Sequence, residues 1–288
     1  LTSVADAGVD LFEIQIMDSL QNSNELKMRI YAMISPGKKN LRYFEENGPI
    51  VTDMLSARSI KLYADGALGS RGAKMLKPYS DDAENSGLII DSIEYYNKIC
   101  KLAYENGFQV NTHAIGDSAV RLMLHTYAGY LKGKNDLRWR IEHSQIVDDK
   151  DVRMFGDYSI IPSIQSTHAT SDMYWAENRV GKERIKNAYI YKELLQQNGW
   201  IPNGTDFPVE EIDPLNTDYA SVFRKDKNMF SNGGFQIENA LSPEETLKSM
   251  TIWAAKSCFM DSLTGSIEEG KYADFVILDH DIIISNEK

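Results

Sequence analysis

The strongest constraint on the fold of this chain is the alternation of short strand-like runs with longer helix-like runs. Strand-like runs recur at residues 28–34, 59–65, 108–113, 138–144, 159–165 and 200–206. Runs with helical spacing lie at residues 10–22, 91–106, 117–131, 148–156, 183–199, 214–224 and 242–260. Repeated strand–helix units predict a parallel sheet, so we expect an α/β fold, either a (β/α)8 barrel or a doubly wound sheet.

The C-terminal tail differs from these units. Residues 265–279 (GSIEEGKYADFVILD) read as a turn followed by one alternating strand, with no helix after it. Such a strand is typical of an appendage that leaves the barrel to join a small second sheet. We therefore predict a barrel domain over residues 1–262 and the strands of a small β-sandwich over residues 263–288.

Composition excludes several classes of protein. The 288 residues carry a formal net charge of −11, which argues against a nucleic-acid-binding surface. No apolar run is long enough to span a membrane. The two cysteines, Cys100 and Cys258, both lie in helical stretches far apart and are expected to be buried free thiols. This favours a reducing compartment, and we predict a cytoplasmic location.

Polar residues at the ends of predicted strands carry the functional signal. His113, His143 and Asp206 each end a strand, while Lys61 lies inside a strand that ends at Asp65. Taken singly, each has an ordinary structural explanation: a hydrogen-bonded histidine, a turn aspartate, a snorkelling lysine. Catalytic residues of β/α barrels lie at the carboxyl ends of the strands, where these side chains would converge. Two imidazoles and a carboxylate suit Zn²⁺ or a similar divalent ion.

Six segments, in this order, resemble one known family. They are IKLYADGALGSRGA (60–73), VNTHAIGDSAV (110–120), RIEHSQIV (140–147), SIQSTH (163–168), NGTDFPV (203–209) and GSIEEGKYADFVILD (265–279). Together they resemble the amidohydrolase superfamily, in its branch of N-substituted formamide deformylase-like hydrolases. The resemblance covers nearly the whole chain. It implies a (β/α)8 barrel of the TIM type with a metal centre in its mouth, beside a small β-sandwich.

The same resemblance implies a role for each strand-end residue. His113 matches the metal ligand of the family's fifth strand and His143 that of its sixth. Asp206 matches the aspartate of the eighth strand, which is the general base and often contacts the metal. Lys61 matches the lysine of the fourth strand, which in related enzymes is carboxylated and bridges two metals. The cofactor implied is therefore one or two divalent metals, with zinc expected, and Lys61 is a candidate for carboxylation.

The implied reaction is hydrolysis of a carbon–nitrogen bond other than a peptide bond, in a small amide or formamide. Asp206 would accept a proton from a metal-activated water and return it to the leaving amine. His168, Arg71 and Asp65 are candidates for contacts with the substrate, and Asp65 would also shape the loop beside Lys61. His125 and His280 are expected to be structural or solvated.

One feature departs from the family. Its first strand carries a His-x-His pair, and no two of the five histidines of this chain are separated by one residue. The opening LTSVADAG resembles the family's second strand, so we expect the first strand to be absent from this segment. The segment would then bind metal weakly or not at all, with a barrel that is open or closed by a second copy of the chain. The alternative function is an inactive amidohydrolase-like protein that binds a ligand without turnover.

Overall fold

The architecture is a curled, largely parallel sheet with helices packed around it. The computed structural model describes residues 1–283. The strands are β1 (Ser3–Val9), β2 (Arg29–Ile34), β3 (Ile50–Val51), β4 (Leu55–Tyr63), β5 (Gln109–Ala114), β6 (Arg140–His143) and β7 (Ile161–Ser163). Strands pair in parallel in the order β1-β2-β4-β5-β6-β7, and β3 is added antiparallel to β4. Helical connections between parallel neighbours make this a partial TIM-type barrel, which confirms the predicted fold class.

The helices follow the predicted spacing in most places. They are α1 (Leu11–Asn22), α2 (Lys38–Asn47), α3 (Ile93–Asn106), α4 (Asp117–Leu131), α5 (Val152–Asp157), α6 (Ser166–Asp172), α7 (Ala176–Arg184), α8 (Tyr191–Asn198), α9 (Pro214–Phe223), α10 (Pro243–Met250) and α11 (Ile252–Ser257). Short 3-10 turns lie at Ile185–Asn187 and Ile237–Asn239. The sequence prediction did not include α2, α6 or the start of α7.

The single helix predicted over residues 183–199 is wrong, because it is interrupted between α7 and α8. Ala188 forms an antiparallel bridge with Ile146, and the Tyr189 amide donates to the Gln145 carbonyl at 2.8 Å. Tyr189 also has a left-handed φ of 55°. These bonds hold the chain against the segment that follows β6, so tertiary contacts override the local helical preference.

Two predicted strands do not form ladders within residues 1–283. The run 200–206 makes one parallel bridge, between Asn203 and Ile164, and Pro202 has no N–H to extend it. Residues 265–279 form turns and extended backbone without a strand. The sheet is therefore open, with β1 and β7 as its outer strands. The division into two domains stays a prediction.

Strand register orders the polar side chains inside the barrel into layers. Lys61 is the partner of Asn111, which is in turn the partner of Arg140. One step toward the carboxyl ends, His113 pairs with Glu142. Side chains alternate between the two faces of a strand, so these residues share the inner face. The layer with Lys61 therefore lies directly beneath the layer with His113.

The long loop between β4 and α3 is tied to the start of α4. Asp65 accepts hydrogen bonds from the amides of Lys74, Ile115 and Gly116, at 2.8, 3.0 and 2.8 Å. The Asp117 carboxylate accepts from the amide of Leu76 at 2.7 Å. The sequence AIGD thus fixes the loop beside the carboxyl ends of β4 and β5.

Replacing Gly116 by Ala is expected to lower the free energy of unfolding by about 1–3 kcal/mol. A Cβ at this position would lie 2.2 Å from the carbonyl oxygen of Lys74, so the backbone of the loop must shift. Gly129, inside α4, has open space around the same position, and Gly129→Ala should raise stability by about 0.5–1 kcal/mol. Urea unfolding of both variants checks this; equal effects of one sign would contradict it.

The two cysteines differ in their burial. Cys100 is fully buried and Cys258 is half-buried, and both are free thiols, so the expectation of two buried thiols is wrong for Cys258. The Cys258 sulfur lies 3.6 Å from the guanidinium of Arg140.

Among residues 1–283, no helix combines the length and the apolar character needed to cross a membrane.

Candidate metal centre

Three side chains meet beyond the carboxyl ends of β6 and β7. His143, His168 and Asp206 each offer one ligand atom, and these atoms lie within 4.8 Å of one another. The His143 and His168 rings are stacked, with centroids 5.6 Å apart, and Nε2 of His168 lies 3.6 Å from Oδ2 of Asp206. Two nitrogen donors and one oxygen donor at this spacing suit a single divalent ion.

His113 joins this cluster from the neighbouring strand. Its ring centroid lies 4.5 Å from that of His143, with the rings edge to face. The Nε2 atoms of His113 and His168 are buried and have no hydrogen-bond partner within residues 1–283. An unpartnered buried nitrogen costs free energy unless it binds something, so both atoms fit the requirement of a metal ligand.

Three different local structures position these ligands. His143 is the last residue of β6 and has a left-handed φ of 76°. His168 lies in the first turn of α6, which follows β7 after Ile164 and Gln165. Asp206 follows the bridge at Asn203 and has a φ of 56°. Left-handed backbone in non-glycine residues costs free energy and is concentrated at functional sites.

Burial keeps the imidazoles neutral. It lowers the pKa values of His113 and His168 to about 4, and that of His143 well below its usual value. At neutral pH each ring therefore presents a lone pair, which metal coordination requires. The 3.6 Å contacts of His113 with Asp65 and of His168 with Asp206 are accordingly not ion pairs near pH 7.

Asp206 has the properties of a group that exchanges protons near neutrality. Burial raises its pKa to about 6; the Lys61 ammonium lowers it in part, and Glu142 and Glu210 raise it. Its side chain keeps 36% of its surface exposed, so water can reach the carboxylate. Of the three grouped ligands, it is the exposed one, whereas His143 and His168 are buried.

Lys61 lies below the cluster, deep in the barrel. Its residue surface is 3% exposed, its Nζ donates to the carbonyl of Leu62 at 3.2 Å, and it lies 3.8 Å from the centroid of the Tyr63 ring. Burial lowers the pKa of Lys61 to about 8, against opposing effects of Glu142 and Asp206. A minor neutral fraction of the amine near pH 7 follows, larger than for an exposed lysine, and carboxylation requires the neutral form.

The other predicted substrate residues have protein partners. Both carboxylate oxygens of Asp65 accept from backbone amides of the loop that it anchors. Both Nε and Nη2 of Arg71 donate to Asp81, at 3.0 and 2.9 Å. The structure places neither against the three-ligand group, and their contacts with a substrate stay predictions.

The remaining histidines have the expected surroundings. His125 is exposed on α4, and His280 is exposed in the tail, where its Nδ1 contacts Asp279 at 3.0 Å. Neither belongs to the three-ligand group.

Sequence reasoning assigned no role to two residues that line the site. Gln165 contacts Nδ1 of His143 at 2.8 Å, and Glu142 lies 2.8 Å from Nε of Arg140. Both stand in segments that carried the family resemblance. Glu142 could have been found from its position one residue before His143, and Gln165 from its place at the end of a predicted strand.

Metal binding at about pH 5 is expected to release about one proton per metal. Asp206 still holds its proton there because its pKa is raised to about 6, whereas imidazoles with pKa values near 4 have already lost theirs. Asp206→Asn should bring the release close to zero. Calorimetric titrations in buffers of different ionisation enthalpy count the protons; release of two or more would show that the imidazoles are not held neutral.

The sequence of this chain is similar to those of several known proteins. Protein LONG AFTER FAR-RED 3 of Arabidopsis thaliana is 33% identical over 236 residues, which cover 81% of this chain and 40% of that protein. N-substituted formamide deformylase of Arthrobacter pascens is 22% identical over 236 residues, which cover 79% of this chain and 42% of that protein. The chain thus spans about two fifths of the length of these relatives.

The solved structures include a close match. A crystal structure of an uncharacterized metal-dependent hydrolase from Pyrococcus furiosus superposes with a TM-score of 0.87 at 29% sequence identity, over 98% of this chain and 57% of that chain. The profile of the amidohydrolase family matches residues 1–287. The chain therefore belongs to the amidohydrolase family.

Proposed function

We propose that this chain provides the catalytic site of a metal-dependent hydrolase that cleaves the carbon–nitrogen bond of a small amide or formamide. The observation that carries the proposal is the group of His143, His168 and Asp206, with neutral nitrogens beside a carboxylate of raised pKa. The bond type is supported by the relative named N-substituted formamide deformylase. Zinc suits this set of nitrogen and oxygen donors and is the metal that we propose.

The protein residues divide the work as follows. His143, His168 and Asp206 would hold the metal, with His113 beside them as a further nitrogen donor. Such a metal supplies a Lewis acid that polarises a carbonyl and makes water nucleophilic near pH 7. Asp206 accepts the proton of the attacking water and returns it to the leaving nitrogen, for which a pKa near the working pH is favourable.

Lys61 is proposed as the site of carboxylation. Its lowered pKa leaves part of the amine unprotonated, which reaction with CO₂ requires. Its layer lies directly beneath that of His113, so a carboxylated side chain would extend toward the metal ligands. Without this modification, the protonated amine carries three N–H donors and no lone pair, so it cannot bind a metal.

The test starts from the purified, metal-free chain. It is loaded with Zn²⁺, Co²⁺ or Mn²⁺, bound metal is counted by mass spectrometry, and formate release from N-substituted formamides is followed. We expect one tightly bound metal per chain and turnover that disappears on chelation and returns with metal. Tight binding without turnover of formamides or other amides would favour the inactive binding protein, and absence of tight metal binding would overturn the proposed function and also favour that alternative.

A further inference from the structure

We propose that Gln165 is a positioning residue that selects the tautomer of His143 which leaves Nε2 free to bind the metal. Gln165 lies between β7 and α6 and is 7% exposed. Its Oε1 faces Nδ1 of His143 at 2.8 Å, inside the protein. The inference rests on the proposed function in one respect: a metal is what Nε2 of His143 would bind.

The chemistry of the contact determines the position of the proton. An amide oxygen can only accept a hydrogen bond, so with Oε1 facing His143 the hydrogen must lie on Nδ1. A neutral imidazole carries one proton in total. A proton on Nδ1 leaves the lone pair on Nε2. Hydrogen bonds from a ligand histidine to a neighbouring acceptor commonly fix its tautomer and ring orientation in this way.

The main chain around Gln165 is itself held on two sides. Its carbonyl accepts from the hydroxyl of Tyr191 at 3.0 Å and from the amide of His168 at 3.2 Å. The preceding residue, Ile164, exchanges two hydrogen bonds of 3.0 Å with Pro202 and Gly204. The side chain of Gln165 therefore extends from a backbone that is held in place by hydrogen bonds.

This placement connects all three ligands of the group. The side chain of Gln165 contacts His143, its carbonyl begins the turn that carries His168, and Ile164 pairs with the segment that leads to Asp206. The next residue also bonds to the segment that leads to Asp206: the Ser166 amide donates to Oδ1 of Asn203 at 3.1 Å. Gln165 thus sets the orientation of one imidazole at the point where the backbones of the other two ligands meet.

Two substitutions separate the acceptor from the bulk of the side chain. Gln165→Glu keeps an oxygen acceptor opposite Nδ1, and Gln165→Met keeps the length but offers no comparable acceptor. Gln145→Met is the matched control, since Gln145 is also buried near His143 but donates to Asp172 and Tyr189. Near-ultraviolet circular dichroism establishes that each variant keeps the native packing.

The first readout is the tautomer of His143 in the metal-free protein, from long-range ¹H–¹⁵N correlation spectra. We expect the proton on Nδ1 in the unmodified protein, in Gln165→Glu and in the Gln145 control, and a mixture of tautomers in Gln165→Met. The second readout is the Kd for Co²⁺. It should rise about 10- to 100-fold in Gln165→Met and only a few-fold in Gln165→Glu.

Several results would overturn the inference. These are a proton on Nε2 of His143 in the unmodified protein, an unchanged tautomer and Kd in Gln165→Met, or an equal loss in Gln165→Met and the Gln145 control. Because the tautomer is measured without metal, the two proposals can fail separately. If the expected tautomers are observed but no metal binds, the proposed function is wrong and the role of Gln165 in selecting the tautomer is retained.

Discussion

Replacing Asp206 by Asn is expected to lower kcat for amide hydrolysis by about a hundredfold or more while most of the bound metal is retained. Asparagine has nearly the shape of aspartate, but its amide cannot take up a proton near neutral pH. The asparagine keeps a carbonyl oxygen in the place of the carboxylate, and His143 and His168, with His113 beside them, remain as nitrogen donors. Activation of water and protonation of the leaving nitrogen should therefore fail, whereas the metal site should survive.

The control for this substitution is Asp218→Asn. Asp218 lies on α9, and burial raises its pKa to about 6, as it does for Asp206, but it is outside the three-ligand group. Steady-state kinetics with parallel metal analysis should give near-normal kcat for this control. Near-normal turnover of Asp206→Asn with full metal occupancy would remove Asp206 from the proton transfers.

The sequence located the ligands that stand at the ends of strands. His113 and His143 end predicted strands, and parallel strands bring their carboxyl ends to one side, so the proximity of these two rings followed from local pattern and topology. Asp206 also lies close to His143 and His168, as expected for the end of a parallel strand, although its predicted strand is reduced to one bridge.

Features set by tertiary contacts escaped the sequence. The spacing of Phe12, Ile16 and Leu20 indicates the helix α1, yet these side chains are exposed and Leu11 and Ile14 are the buried ones. Helical periodicity locates an element but does not determine which neighbours cover its faces. Arg71 was a candidate for a substrate contact because of its position. In the structure its guanidinium donates to Asp81, ten residues away, a contact that no strand pattern indicates.

His168 shows the same limit at the site itself. It stands in α6, an element that the sequence did not predict, so its direction could not be deduced and it was interpreted as a contact for the substrate. The first turn of α6 in fact directs the imidazole to within ligand distance of His143 and Asp206. His168 is a nitrogen donor in addition to His113, His143 and Asp206, and for this reason we expect tighter metal binding than the sequence alone predicted, because three protein ligands are typical of a catalytic zinc site.

His168→Gln is therefore expected to raise the Kd for Zn²⁺ by about a hundredfold or more, since it removes one of three grouped donors. Glutamine retains a polar side chain that can still hydrogen-bond a substrate carbonyl. If His168 only contacted the substrate, the variant would keep full metal content and show its effect in KM. Metal titration and steady-state kinetics on the same preparation separate these two roles.

The matched control is His125→Gln, on the exposed face of α4 and outside the three-ligand group. It should leave the Kd for Zn²⁺ unchanged, because an exposed single imidazole binds zinc only weakly. Excess Zn²⁺ provides a further discriminating step: saturating metal should restore part of the activity of His168→Gln if its defect is in metal affinity. An unchanged Kd together with a raised KM would return His168 to the substrate-binding role and leave His143, His113 and Asp206 as the ligand set.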